Sequence, residues 1–246
     1  MCVYCDVRPK GRERLIARRN FLALAGASAL ACTASGRAFA ETAKAPPKAE
    51  NVISPDAALE RLMQGNRRYV EGVTRRHDFK HEREALTAGQ NPFAGILGCA
   101  DSRISPELAF DTSRGDLFVC RVAGNIANVD VIASFEYSIA VLHAPLLVVL
   151  GHGACGAVDA AIKSIKGGTT PPGHLPSLVE AISPAVKAVL DRPGNTLDEA
   201  IKQNVALNVE RLKSATPIIS QAVDDKKVRI VGAIYNLSNG RVELTT

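Results

Sequence analysis

From Phe93 onward the chain repeats one alternation, a short apolar run followed by a longer stretch with apolar residues at helical spacing. FAGILGC (93–99), DLFVCRV (116–122), PLLVVLG (145–151) and VRIVGAIY (228–235) are rich in Val, Ile and Leu. Runs of this kind fit strands buried on both faces of a parallel sheet. Between them, 105–111, 129–142, 156–166, 175–190 and 197–214 carry apolar residues every three or four positions and predict helices. Upstream, Ser54 and Pro55 supply a cap and a first-turn proline, and Leu59, Leu62, Met63, Asn66, Tyr69 and Val70 continue a helix through Glu71. Strands alternating with helices predict an α/β fold over residues 55–246, with three α/β/α layers around a mostly parallel central sheet. Ligands of such sheets sit beyond the carboxyl ends of the strands, so chemistry is sought there first.

The first forty residues follow another pattern. Phe21 to Ala34 carries no charge, a basic stretch ending in Arg18-Arg19 precedes it, and Ala38-Phe39-Ala40 follows. That order reads as an export signal over 1–40, cleaved before Glu41, and residues 41–54 (ETAKAPPKAENVIS) read as a linker. The apolar run falls short of the roughly 20 residues that span a bilayer; a retained anchoring helix is the alternative reading. Arg18-Arg19-Asn20-Phe21-Leu22 resembles the twin-arginine signal of bacteria, although Ala17 stands where Ser or Thr is usual. The resemblance implies delivery of a folded protein to the periplasm.

Charge follows the same division. The chain carries a formal +5, and residues 1–40 hold seven basic side chains against two acidic ones, the whole of that excess. The body beyond is neutral, so it lacks the basic footprint of a nucleic-acid binder, and nothing in it predicts stable membrane insertion once the signal is removed. Cys2, Cys5 and Cys32 lie in the leader, which leaves Cys99, Cys120 and Cys155. Three cysteines cannot form a fully paired disulfide framework, and an exported protein that keeps them invites another use.

That use is legible at two strand ends. Cys99-Ala100-Asp101-Ser102-Arg103 follows the first strand, and His152-Gly153-Ala154-Cys155-Gly156 follows the third. Neighbouring parallel strands lie about 4.8 Å apart, so the two loops can converge. Thiolate and imidazole suit Zn²⁺, and two Cys with one His leave a fourth position open, as in catalytic sites. Gly151, Gly153 and Gly156 are expected to let backbone approach the metal. Taken singly, each Cys also reads as a small buried hydrophobe and His152 as a cap or core residue. Asp101 and Arg103 are placed to pair, the guanidinium holding the carboxylate ionised beside the metal; the alternative is an ordinary surface ion pair.

With these residues the sequence resembles a β-class carbonic anhydrase from about Pro55 to Val242. The Cys-x-Asp-x-Arg and His-x-x-Cys pair, with 52 residues between Cys99 and His152, carries the resemblance, and Arg121-Val122-Ala123-Gly124-Asn125 matches a third family segment. The resemblance implies one Zn²⁺ per subunit on Cys99, His152 and Cys155, with Asp101 and Arg103 orienting hydroxide for attack on CO₂, giving bicarbonate. It implies that Asp101 becomes a fourth zinc ligand in a closed form. It also implies that Gln90 hydrogen-bonds substrate, that Phe118, Ala123 and Tyr137 form an apolar wall partly supplied by a second subunit, and that the protein is a homodimer or homotetramer. Ala123 is smaller than the family's usual Val, which alters the wall. Some members regulate themselves through a bicarbonate pocket built on a tryptophan; Ile96 holds that position here and the chain has no Trp. The competing functions are hydrolysis of carbonyl sulfide or carbon disulfide on the same scaffold, a non-catalytic zinc or bicarbonate sensor, and thiol redox chemistry.

Overall fold

The computed structural model describes residues 47–245. The export signal expected over 1–40, and the first part of the linker, lie outside the described residues. Within them, five strands form one sheet in the order β2-β1-β3-β4-β5. These are β1 (Ala94–Gly98), β2 (Leu117–Arg121), β3 (Leu146–His152), β4 (Arg229–Tyr235) and β5 (Val242–Leu244). The first four are mutually parallel, and β5 is antiparallel to β4. The helices are α1 (Pro55–Val70), α2 (Phe79–Ala85), α3 (Pro106–Ala109), α4 (Val129–Ala140), α5 (Gly156–Gly167), α6 (Leu175–Lys187), α7 (Thr196–Lys213) and α8 (Ile218–Asp224).

Alternation along the strands assigns the two faces of the sheet. Ile96, Leu146, Val148 and Leu150 turn toward Ala58, Leu59 and Leu62 of α1. Leu97, Leu147 and Val149 turn the other way, onto Val131 and Phe135 of α4, Val205, Val209 and Leu212 of α7 and Ile219 of α8. A third apolar cluster joins α5, α6 and α7 through Val158, Ile162, Ile182, Val186 and Ile201, and contains Cys99 and Cys155. Helices on both faces explain why the strands are almost uniformly apolar, and the three-layer α/β/α expectation is met.

Local signals set the helix starts. Ser54 Oγ accepts from the amide of Ala57 at 3.3 Å, with Pro55 in the first turn of α1. Asn128 Oδ1 accepts from Val131 at 3.0 Å at the head of α4, and Asn195 Oδ1 accepts from Leu197 at 3.0 Å at the head of α7.

The structure departs from the sequence pattern in six places. The helix expected over 105–111 is the single turn α3, and that expected over 175–190 ends at Lys187. Helices α2 and α8 and strand β5 are additional. No residue of α2 is buried, so it carries no apolar stripe to read; β5 has only three residues, too few for alternation to register. Residues 48–53, read as linker, are docked on the domain. The side chain of Asn51 donates to Asn91 O at 3.0 Å and Asp116 Oδ1 at 3.1 Å, Lys48 pairs with Asp116, and Ile53 packs on the core. These partners lie far along the chain, so composition could not show them. Among the described residues no helix is long and apolar enough to cross a membrane.

Asn66, buried on α1, ties the C-terminal hairpin to the helical layer. Its Nδ2 donates to Ala109 O and Gly240 O, both at 2.9 Å, and its Oδ1 accepts from Val242 at 2.9 Å. Asn66→Ala strands three buried backbone groups, each costing about 1–3 kcal/mol. Urea denaturation should show a loss of roughly 3 kcal/mol or more; a change below about 0.5 kcal/mol would contradict this reading of the hairpin.

Candidate metal centre

The register of the sheet builds the site. Gly98 at the end of β1 pairs with Leu150 on one side and Arg121 on the other. Cys99 therefore leaves β1 level with Gly151, one residue short of His152 at the end of β3. From there the chain turns through Gly153 and Ala154, the latter at φ +51°, and enters α5 with Cys155 as its N-cap. Gly151 matters because a Cβ there would lie 2.6 Å from Val205 Cγ2 of α7. At Gly153 and Gly156 a Cβ would meet open space, so a side chain is excluded at Gly151 alone, and there by packing on α7 rather than by approach to the ligands.

Cys99 Sγ, one ring nitrogen of His152 and Cys155 Sγ lie within 4.8 Å of one another. All three residues are buried, His152 completely, at 5%, 0% and 1% exposure for Cys99, His152 and Cys155. His152 Nδ1 donates to Gly153 O at 2.9 Å, which leaves Nε2 as the nitrogen free to ligate. Nε2 is buried without a hydrogen-bond partner. A buried imidazole nitrogen with no protein partner, facing two sulfurs, is the condition a bound metal would relieve. The donor set therefore fits a borderline-soft cation such as zinc.

The two cysteines are not equivalent before a metal arrives. The Cys155 thiol donates to Cys99, and with help from His152 and the Gly124 amide it pulls Cys99 far below the usual thiol range against the effect of burial. That sharing, with burial, pushes Cys155 upward; the amides of Val158 and Ala157 at the head of α5 pull the other way. Burial alone would lower His152, yet the Cys99 thiolate beside it raises it overall.

Asp101 stands at the rim. Arg103 grips it twice, Nε to Oδ1 at 2.9 Å and Nη2 to Oδ2 at 2.6 Å, and its backbone amide donates to Oδ1 at 2.9 Å. Those bonds outweigh burial and hold the Asp101 carboxyl well below the usual carboxylate range. Oδ2 lies 3.9 Å from His152 Nε2, so the ionised oxygen faces the ligand set. Arg103 also donates to Ala154 O at 3.3 Å and so bridges the two loops.

A family model described as carbonic anhydrase matches residues 94–242. Carbonic anhydrase 2 of Mycobacterium tuberculosis is 40% identical over 192 residues, covering 78% of this chain and 93% of that protein. The chain belongs to the β-class carbonic anhydrase family. The solved β-carbonic anhydrase CcaA is 27% identical, covers 76% of this chain and 94% of its own, and superposes with a TM-score of 0.58. A tetrameric β-carbonic anhydrase of Sordaria macrospora shares the fold at 24% identity and a TM-score of 0.59, over 67% of this chain and 86% of that one.

Within this carbonic anhydrase chain, the residues expected to meet substrate are less tightly gathered than the metal ligands. Ala123 is half-buried next to Gly124, whose amide donates to Cys99 Sγ at 3.3 Å. Phe118 pairs with Gly95, three residues before the end of β1, and its ring lies 6.4 Å from that of Tyr137 on α4. Gln90 is exposed at the opposite, N-terminal end of β1. Asp101 is held by Arg103 in this conformation.

One contributor entered the sequence analysis only as the first residue of a family segment. Arg121 donates from Nε to Cys99 O at 2.9 Å and from Nη2 to Asp101 O at 2.7 Å, fixing the turn that carries both a ligand and the carboxylate. Its signal in the sequence is a cation ending the strand beside β1.

Proposed function

We propose that this chain catalyses the zinc-dependent, reversible hydration of CO₂ to bicarbonate and a proton, with Cys99, His152 and Cys155 holding the zinc. The observation that carries the reading is the carboxylate of Asp101, clamped by Arg103 and set 3.9 Å from the unpartnered nitrogen of His152. A purely structural metal site has no use for an ionised acceptor aimed at its open side.

Held by Cys99, His152 and Cys155, zinc would supply Lewis acidity, lowering the pKa of water from about 15.7 toward about 7. The protein supplies direction. Asp101 stays ionised and can only accept, so a hydroxyl group beside Oδ2 must point its proton there and its lone pair outward, toward substrate. Arg103 fixes both oxygens of that acceptor and keeps it from drifting. Two thiolates cancel the formal charge of the metal and weaken its acidity relative to a site of neutral imidazoles, which makes the orientation by Asp101 more important. Ala123, Phe118 and Tyr137 supply apolar surface suited to an unhydrated, uncharged substrate; Gln90, at the far end of β1 from the ligands of its own chain, reaches that substrate only from a second copy.

The chain is further read as a homodimer or homotetramer whose second copy completes that wall. The support is β2 at the open edge of the sheet, with Val129, Tyr137 and Val141 exposed on and just beyond α4 beside it, Tyr137 at 49%. The leader, by its twin-arginine pattern, directs the enzyme to the periplasm, and the mass of the exported protein should correspond to a chain beginning at Glu41.

Asp101→Asn separates direction from metal binding. The variant should retain one zinc per chain and lose about 10²- to 10⁴-fold in kcat/KM for CO₂ hydration by stopped flow. Wild-type rates in the zinc-loaded variant would sink the role given to Asp101, and a zinc-loaded wild type with no hydration activity would sink the function itself.

A further inference from the structure

Helix α7 packs against the sheet through Ile201, Val205, Val209 and Leu212, yet the same buried side carries two asparagines one turn apart, Asn204 and Asn208. Amides buried among apolar residues cost free energy unless they are hydrogen-bonded, so their partners indicate what they are for. Asn204 Nδ2 donates to Gly124 O at 2.8 Å. Asn208 Oδ1 accepts from the Ala127 amide at 2.7 Å, and Asn208 Nδ2 donates back to Asn204 O at 2.8 Å and to Asn204 Oδ1 at 3.2 Å. The pair is braced internally and grips the 122–128 loop at two points.

That loop is the one that touches the metal centre. The Gly124 amide donates to Cys99 Sγ, while the Gly124 carbonyl is the group Asn204 holds. Gly124 adopts φ +75° and Asn125 φ +42°, two consecutive left-handed residues, a conformation that persists only where its surroundings impose it. A Cβ on Gly124 would lie 2.6 Å from Ile182 Cδ1, so α6 closes the other side and the loop has one seat.

We propose that Asn204 and Asn208 are positioning residues of the metal centre: by fixing Gly124 they keep its N–H on the Cys99 thiolate and thereby set how much negative charge that sulfur shares with the metal. The inference rests on the zinc site of the proposed function but not on the reaction. An amide donated to a thiolate draws electron density from the sulfur, and partners that orient ligands in this way tune both affinity and acidity of the metal. In a site with two thiolates, such a bond offsets part of the charge they bring.

The test uses the Co²⁺-substituted protein, whose sulfur-to-metal charge-transfer band reads thiolate donation directly. Asn204→Ala should move that band to lower energy, because a thiolate relieved of its amide donor gives more charge to the metal. Asn66→Ala, which also removes buried amide bonds but none to the 122–128 loop or to Cys99, is the control for lost stability and should leave the band in place. Asn208→Ala keeps the bond to Gly124 and loses only the brace and Ala127, so it should fold if Asn204→Ala does not, and shift the band by less. A folded Asn204 or Asn208 variant with the wild-type band, or a band that moves equally in Asn66→Ala, overturns the proposal. Absence of CO₂ hydration in the wild type would remove the function and leave this spectroscopic result to stand or fall by itself.

Discussion

The centre depends on the parallel hydrogen-bonded register of β1 against β3. Because Gly98 is locked opposite Leu150, Cys99 leaves the sheet level with Gly151, one residue before His152, and the turn into α5 returns Cys155 to the same point. A slip of one residue would send every side chain of β1 to the other face and carry Cys99 with it. Ile96 and Leu97, each sealed against a different helical layer, oppose such a slip, so the apolar packing that stabilises the sheet also sets the distances among the ligands.

Around that frame the charges are arranged in order of depth. The two sulfurs and the imidazole are buried, and their excess negative charge is met by backbone donors: the Gly124 amide on Cys99 and the head of α5 on Cys155. The Asp101–Arg103 pair sits further out, where the guanidinium is half-exposed and free to bridge both loops. Arg121 ties the turn between them from the β2 side. The result is an acceptor oxygen at a fixed distance from the ligand set, held by contacts from three neighbouring strand ends.

The sequence was most readable where burial is two-sided and where chemistry follows strands. The four long strands, the main helices and the Cys99, His152, Cys155 grouping follow from apolar runs and from which residues come directly after them. What escaped has physical reasons. Helix α2 buries nothing, β5 is three residues long, and the docking of Lys48 and Asn51 uses partners distant in the chain. The amide on Cys99 is backbone, and Asn204 and Asn208 look in sequence like polar interruptions of an apolar face; only the fold shows the loop they hold. Gln90 and the exposed face of Tyr137 carry roles by resemblance, and both lie on surface that a second chain could meet.

The most direct test of the account is zinc K-edge X-ray absorption on the metal-loaded protein. Two sulfur neighbours at about 2.3 Å, with nitrogen or oxygen at about 2.0 Å in the remaining positions, is the predicted result. Four sulfurs, one or none, or protein that takes up no zinc, would contradict a centre built from Cys99, His152 and Cys155.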